Sequence, residues 1–516
     1  MRKRFWPGCL LGGIGVLLAA GAVRAGEFTL AGKPASVMGY INQGATFGIA
    51  EGDFNNKTGF NSAVFQALVE GQWRPAPDFK LYASGKLTAD WAYPILDDRS
   101  DWKDREFDDS RDELFLDTGW DKVLHEAHAT WAPGNLFLRA GKQIVAWGES
   151  DGFRLMDQIN PVDQRRGLSD VEFENTIIPL WLLRTDYYFQ PQTKWLQDIG
   201  IETVFNPNVR FQANRPIDLG NNVSGIWAPH VVPAPGLQLG SSDKIDRSPD
   251  DWSTEGMEFG ARVKAVINDM IFTVNYFNGI SNDAQLTLAG APGVTVAPGG
   301  QPILHLPLEY HYPRFRFVGA TFTSDFPSLS ASFLGGVAPV LRVEGFYGFK
   351  NTLGVQATPE AGGAPFTRLV RNDEFRYLVG LDWKVKVNLL NPKAYFFLSG
   401  QFFHRKILDF ESEMTPGERA ADIDLKDFLG NVKENNIATS LLINTSYFHN
   451  KLTPMVFWLR DITLSGNMYK MQLTYDYSDK WHYTVGALLL GGNDEQKGFE
   501  ALKRKDQLYA TVKYRF

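Results

Sequence analysis

Along most of the chain, apolar and polar residues alternate one for one. Between positions 79 and 91, Phe79, Leu81, Ala83, Leu87 and Trp91 oppose Lys80, Tyr82, Ser84, Lys86 and Asp90. The same alternation runs through 257–267, 375–387 and 468–477. A period of two is the mark of a strand with one apolar face. Strands are predicted at 36–49, 63–73, 79–91, 123–131, 136–146, 178–189, 199–205, 257–267, 271–278, 314–323, 340–349, 375–387, 394–405, 436–448, 454–464, 468–477, 481–490 and 506–516. That is about 18 strands, with 16 as the alternative even count. The segments 314–323 and 340–349 do not phase cleanly.

The connections alternate as well. Every second one is a tight turn, at 74–78, 133–135, 268–269, 391–393, 450–453 and 478–480, and most of those between are long. Short turns on one side and long loops on the other fit an antiparallel transmembrane β-barrel with both termini on the short-turn side. Trp73, Trp131, Trp383 and Trp481 fall near that rim, where an aromatic belt belongs. The final strand has Leu508, Ala510, Val512, Tyr514 and Phe516 on one face and Gln507, Tyr509, Thr511, Lys513 and Arg515 on the other. It resembles the closing strand and assembly signal of Gram-negative outer-membrane barrels, carried here by Leu508, Val512, Tyr514 and Phe516. Such a strand pairs with the first, leaving no backbone edge in lipid.

The start of the chain points to the same compartment. Arg2, Lys3 and Arg4 precede an apolar run from Leu10 to Ala22, and Val23, Arg24 and Ala25 supply a cleavage site. Residues 1–25 are expected to be a signal peptide and 26–516 a single barrel domain. The only cysteine, Cys9, would leave with the signal, so no disulfide or thiolate-held metal is expected. The formal net charge is -7; removing Arg2, Lys3, Arg4 and Arg24 leaves -11, which argues against nucleic-acid binding.

No catalytic constellation stands out: Gly-x-Ser-x-Gly, His-Glu-x-x-His and phosphate-binding loops are all missing, so neither an enzyme nor a cofactor is expected. His125, Glu126 and His128 are close in sequence, but on a strand His125 points away from the other two. They read as wall residues rather than a metal site. Positions 97–113 hold nine carboxylates against four basic residues. A solvated external loop accounts for them, with bridging to lipopolysaccharide through divalent cations as the alternative.

The informative stretch is Arg139 to Gly167, which leaves the fifth strand and enters the following long loop. Gly141 and Gly148 permit a bulge or a close backbone approach, and Asn160-Pro161 favours a turn. Glu149, Asp151, Arg154, Asp157, Asp163, Arg165 and Arg166 supply charge of both signs. That mixture suits a loop folded into a watery lumen, around 147–177, as a pore constriction. Glu126, Arg139, Lys142 and Gln143 would line the wall beside it.

Glu126-Ala127, Arg139-x-Gly141-x-Gln143, Trp147-Gly148-Glu149 and Ile159-Asn160-Pro161-x-Asp163 resemble a family of proteobacterial outer-membrane proteins catalogued as a domain of unknown function. More distantly, the Gly-x-Gln stretch is similar to alginate-export-type porins. The resemblance implies an outer-membrane location and transport, with no defined substrate.

The expectation is therefore a porin-like channel for passive transport of small solutes through a water-filled barrel in the Gram-negative outer membrane. Two alternatives stand beside it. One is a porin-type sheath around a multihaem cytochrome; the other is an export or hydrophobic-uptake barrel working with an inner-membrane transporter. Expected partners are outer-membrane lipid, lipopolysaccharide and the barrel-assembly machinery.

Overall fold

The computed structural model describes residues 26–516 apart from 51–57, 97–114, 117–118, 151–153, 164–175, 192, 209–237, 240–243, 251, 283–284, 292, 297–299, 301, 306, 331–334, 358–367, 411–417, 422–432, 493–498 and 500–504. The expected signal segment, the acidic stretch 97–113, Asp151, Arg165 and Arg166 lie outside the described residues.

Eighteen strands build the wall, each overlapping a segment read from the alternation. They are β1 (Lys33–Gly48), β2 (Val64–Ala76), β3 (Phe79–Asp90), β4 (Leu124–Trp131), β5 (Leu136–Gln143), β6 (Leu180–Phe189), β7 (Leu196–Asn206), β8 (Glu258–Ile267) and β9 (Met270–Ile280). The circuit continues with β10 (Arg314–Asp325), β11 (Val340–Ala357), β12 (Arg368–Val385), β13 (Phe396–Ile407), β14 (Asn435–Asn444), β15 (Leu452–Asp461), β16 (Gly466–Asp476), β17 (Trp481–Gly491) and β18 (Gln507–Arg515). Neighbours pair antiparallel all the way round. β18 closes on β1 in register from Tyr40↔Arg515 to Gly48↔Gln507. Gly39 and Phe516 exchange both backbone hydrogen bonds at 3.0 Å, so the last residue of the chain completes the ladder.

The two faces sort as the alternation demands. Val379 (38% exposed), Leu473 (39%) and Leu508 (49%) point outward. So do Val263, Phe402 and Val512, giving an outward apolar face of the kind that membrane barrels turn to lipid. Gln472 and Tyr509 face inward and meet at 3.2 Å. At the short-turn rim Trp481 stacks on Tyr483 and lies 4.8 Å from Tyr514, which in turn contacts Phe516. Trp73 and Trp383 belong to the same rim and donate to the carbonyls of Leu30 and Val337.

Two small three-stranded sheets form within the long connections β7–β8 and β9–β10. One joins Lys244–Arg247, Leu308–His311 and Gln285–Leu288, and Gln285 accepts a 3.0 Å hydrogen bond from Gly354 N of β11. Within it, a hydrogen bond from Arg247 holds the Glu309 carboxyl below its ordinary value.

Candidate functional site: the inward loop and its wall

Where β5 ends, the chain turns into the lumen instead of outward. Gly141 adopts φ +132°, and a Cβ there would lie 2.2 Å from the carbonyl oxygen of Ala127, so glycine is required. Gln143 is fully buried and donates to Leu182 O at 3.0 Å. Asn160 then stitches the loop's two limbs together. It accepts from Val145 N at 2.8 Å and donates to Gln143 O and Ile178 O at 3.1 and 2.9 Å. Asp157 accepts from the amides of Trp147 (2.6 Å) and Gly148 (2.8 Å). Arg154 donates to Asn160 O. These residues hold the loop's own shape.

The loop docks on strands far away in sequence. The Trp147 indole donates to Glu202 of β7 at 2.7 Å, and its ring meets Phe277 of β9 edge-on at 89°. Met156 rests on Gly319 of β10 and accepts a weak contact from Asn275. Glu149 N donates to Glu344 of β11 at 2.7 Å, and Arg342 donates to Glu149 O. The Glu149 carboxylate lies 3.8 Å from Arg262 of β8. Val145, Trp147, Leu155, Met156 and Ile159 thus share one buried cluster with wall residues Leu182, Val204, Phe277, Phe317 and Phe346.

The wall itself is less polar than a simple reading of its inward rows implies. A second apolar cluster, including Leu378, Leu459, Met468 and Leu488, lies among the inward residues of β12–β17 and meets the first through Phe403. Between these patches run ion pairs: Arg184 with Asp186 (3.0 Å) and Glu202 (3.1 Å), Arg342 with Asp382 (2.7 Å), and Arg405 and Arg376 with Glu374.

Of the residues singled out in the sequence, Gln143, Glu149, Arg154 and Asp157 sit in or beside the docked loop. Asp163 follows it, its backbone bonded to Thr176 O. Arg139 faces the lumen on β5 and bonds Thr130. Glu126 Oε2 accepts from Ile144 N at 3.3 Å, and Lys142 Nζ donates to Leu124 O at 2.8 Å. His128 stacks on Tyr82 at 4.9 Å. Among the described residues, no group of three or more His, Cys, Asp or Glu is placed to hold a metal. Arg262, Arg342 and Glu344 also meet the loop, although in sequence they look like any other inward charges. Gly260 and Gly319 receive it too, and their signal in sequence is a glycine on the inward face of a strand.

Among solved structures the chain is similar to Salmonella typhi OmpF in complex with daunomycin, at 11% identity over 95% of this chain and 100% of that one, TM-score 0.40. It is also similar to Pseudomonas aeruginosa OpdK with vanillate, at 8% identity over 93% and 98%, TM-score 0.44. A third is the outer-membrane channel DcaP of Acinetobacter baumannii, at 10% identity over 96% and 100%, TM-score 0.38. No curated protein sequence matches the chain. One family model covers residues 22–516, and the chain belongs to that family, described as "Protein of unknown function (DUF1302)".

Proposed function

We propose that the protein is an outer-membrane channel through which small solutes pass passively, with the loop at 144–163 as its constriction. The observation that carries this reading is the docking of Trp147, Glu149 and Met156 onto the lumenal face of β7–β11, around the wall from where the loop leaves β5. Groups held in a narrow, water-poor passage interact with a passing charge far more strongly than the same groups on an exposed loop. Glu149 facing Arg262 and Arg342 sets up such a field.

A sheath around a cytochrome would need a clear bore, and this lumen carries its own folded segment. Single-channel recording in planar bilayers tests the channel reading. Discrete openings that grow when residues 151–164 are deleted support it; a folded barrel that conducts nothing in either form overturns it.

A further inference from the structure

The seam between β4 and β5 differs from every other in the wall. Both strands have eight residues, against 9 to 18 in the others. Only five positions pair across it, Ala127↔Lys142 to Trp131↔Leu138, where each other seam has seven or more. Eight residues make about 26 Å of strand, which projects to about 20 Å at a tilt of about 40°, short of the apolar band of about 25 Å on such barrels.

Where pairing stops, side chains replace the ladder. Leu124 O receives Lys142 Nζ, and Ile144 N is taken by Glu126 Oε2. A clasp of two flexible side chains can part without breaking a run of backbone bonds.

Apolar residues flank this clasp on both faces of the wall. On the lumenal side, β5 pairs Gly141 with Leu182 and Gln143 with Leu180, both part of the apolar cluster that Val145 and Trp147 enter next. On the outer side, Trp120, Val123 and Leu124 overhang the small residues Gly71 of β2 and Ala83 and Gly85 of β3, leaving a groove of about 460 Å³ that reaches the clasp only at Leu124. Trp120 is 66% exposed there.

We propose that the β4–β5 seam is a lateral portal, through which solutes with a largely apolar body pass between the lumen and the bilayer. The proposal rests on the channel reading and adds a solute class and an exit to it. A polar solute has no reason to leave sideways into hydrocarbon, whereas an apolar one gains by doing so.

The test locks the seam. Residues facing each other on antiparallel strands have Cα separations of about 4.5–5.5 Å, within disulfide reach. The double variant Ala129→Cys, Ala140→Cys pins the middle of the five pairs. Val485→Cys, Ala510→Cys places the same link between β17 and β18 as a control. The readouts are entry of the neutral apolar fluorophore N-phenylnaphthylamine into cells carrying the protein, and single-channel conductance in planar bilayers. Wild-type protein should speed fluorophore entry. The oxidised β4–β5 lock should return it to the level of cells lacking the protein, reduction should restore it, and conductance should stay unchanged. The β17–β18 lock should alter neither.

Fluorophore entry that the wild type does not raise, or that persists with the β4–β5 lock closed, overturns the portal while leaving a conducting channel intact. Entry and conductance falling together also overturns it, because the lock then distorts the pore. Loss of all conductance in wild-type protein is the separate failure of the channel reading.

Discussion

Trp147 sits over Gly260: a Cβ on that glycine would lie 2.6 Å from the indole ring. The loop can lie flat on the wall only where the wall lacks a side chain, and β8 supplies that gap. Gly319 does the same for Met156, where a Cβ would lie 2.5 Å from the thioether.

The two glycines should not respond alike to substitution. The Trp147 ring is rigid, buried and tied to Glu202, so Gly260→Ala should already lift the loop and raise single-channel conductance. The end of Met156 is flexible, and it should swing aside for Gly319→Ala with little change. Conductance of the two variants, recorded side by side, checks the difference; equal effects would mean that the loop does not bear on the wall at Trp147.

Asp157 uses its carboxylate to hold the amides of Trp147 and Gly148. Asp157→Ala removes two charge-assisted bonds, each worth about 1.5–3 kcal/mol. The expected result is a looser loop: greater open-channel noise and faster proteolysis within 144–163, with heat-modifiable barrel unchanged. A quiet channel with altered selectivity alone would show that Asp157 acts by its charge.

Glu149 has a different part, since its carboxylate lies 3.8 Å from Arg262 of β8, where the loop meets the wall. Glu149→Gln should shift the reversal potential toward anion preference. Arg262→Gln and Arg342→Gln together should shift it toward cations, although Arg342 also holds Asp382 and Glu149 O, so folding must be verified first. Reversal potentials under a salt gradient decide the matter.

Arginine at Val379 or Leu473 should cost about 2–4 kcal/mol where these positions reach the bilayer midplane, and Gln472→Arg should be tolerated. Urea unfolding in lipid vesicles separates the two classes. Equal destabilisation would reverse the facing of β12 and β16.

At the closure, the Phe516 ring packs beside Ile41 and Phe65 while its backbone completes the ladder to Gly39. Deleting Phe516, or replacing Tyr514 and Phe516 with charged residues, should abolish folded, heat-modifiable protein in the membrane fraction. Normal amounts of it would show that closure does not depend on these aromatics.

The sequence by itself determined the wall. Strand number, the parity of short turns and long loops, the closing strand and the outward face of β12 and β16 all follow from a two-residue period meeting a lipid surface, and that period is local. Alternation faltered at 314–323 and 340–349, and the structure supplies the reason. Phe315, Phe317 and Phe346 put aromatic residues on the lumenal side of β10 and β11, where the docked loop covers them or packs alongside, so apolar residues interrupt the polar rows of those strands. Mixed charge and glycines within 139–167 marked the loop, but not its landing site. Only the tertiary structure decided that Glu149 meets Glu344, 195 positions later, or that Gly260 and Gly319 are the seats for Trp147 and Met156. Barrel curvature brings the lumenal faces of β7–β11 within reach of a loop leaving the end of β5, and such a relation has no period along the chain.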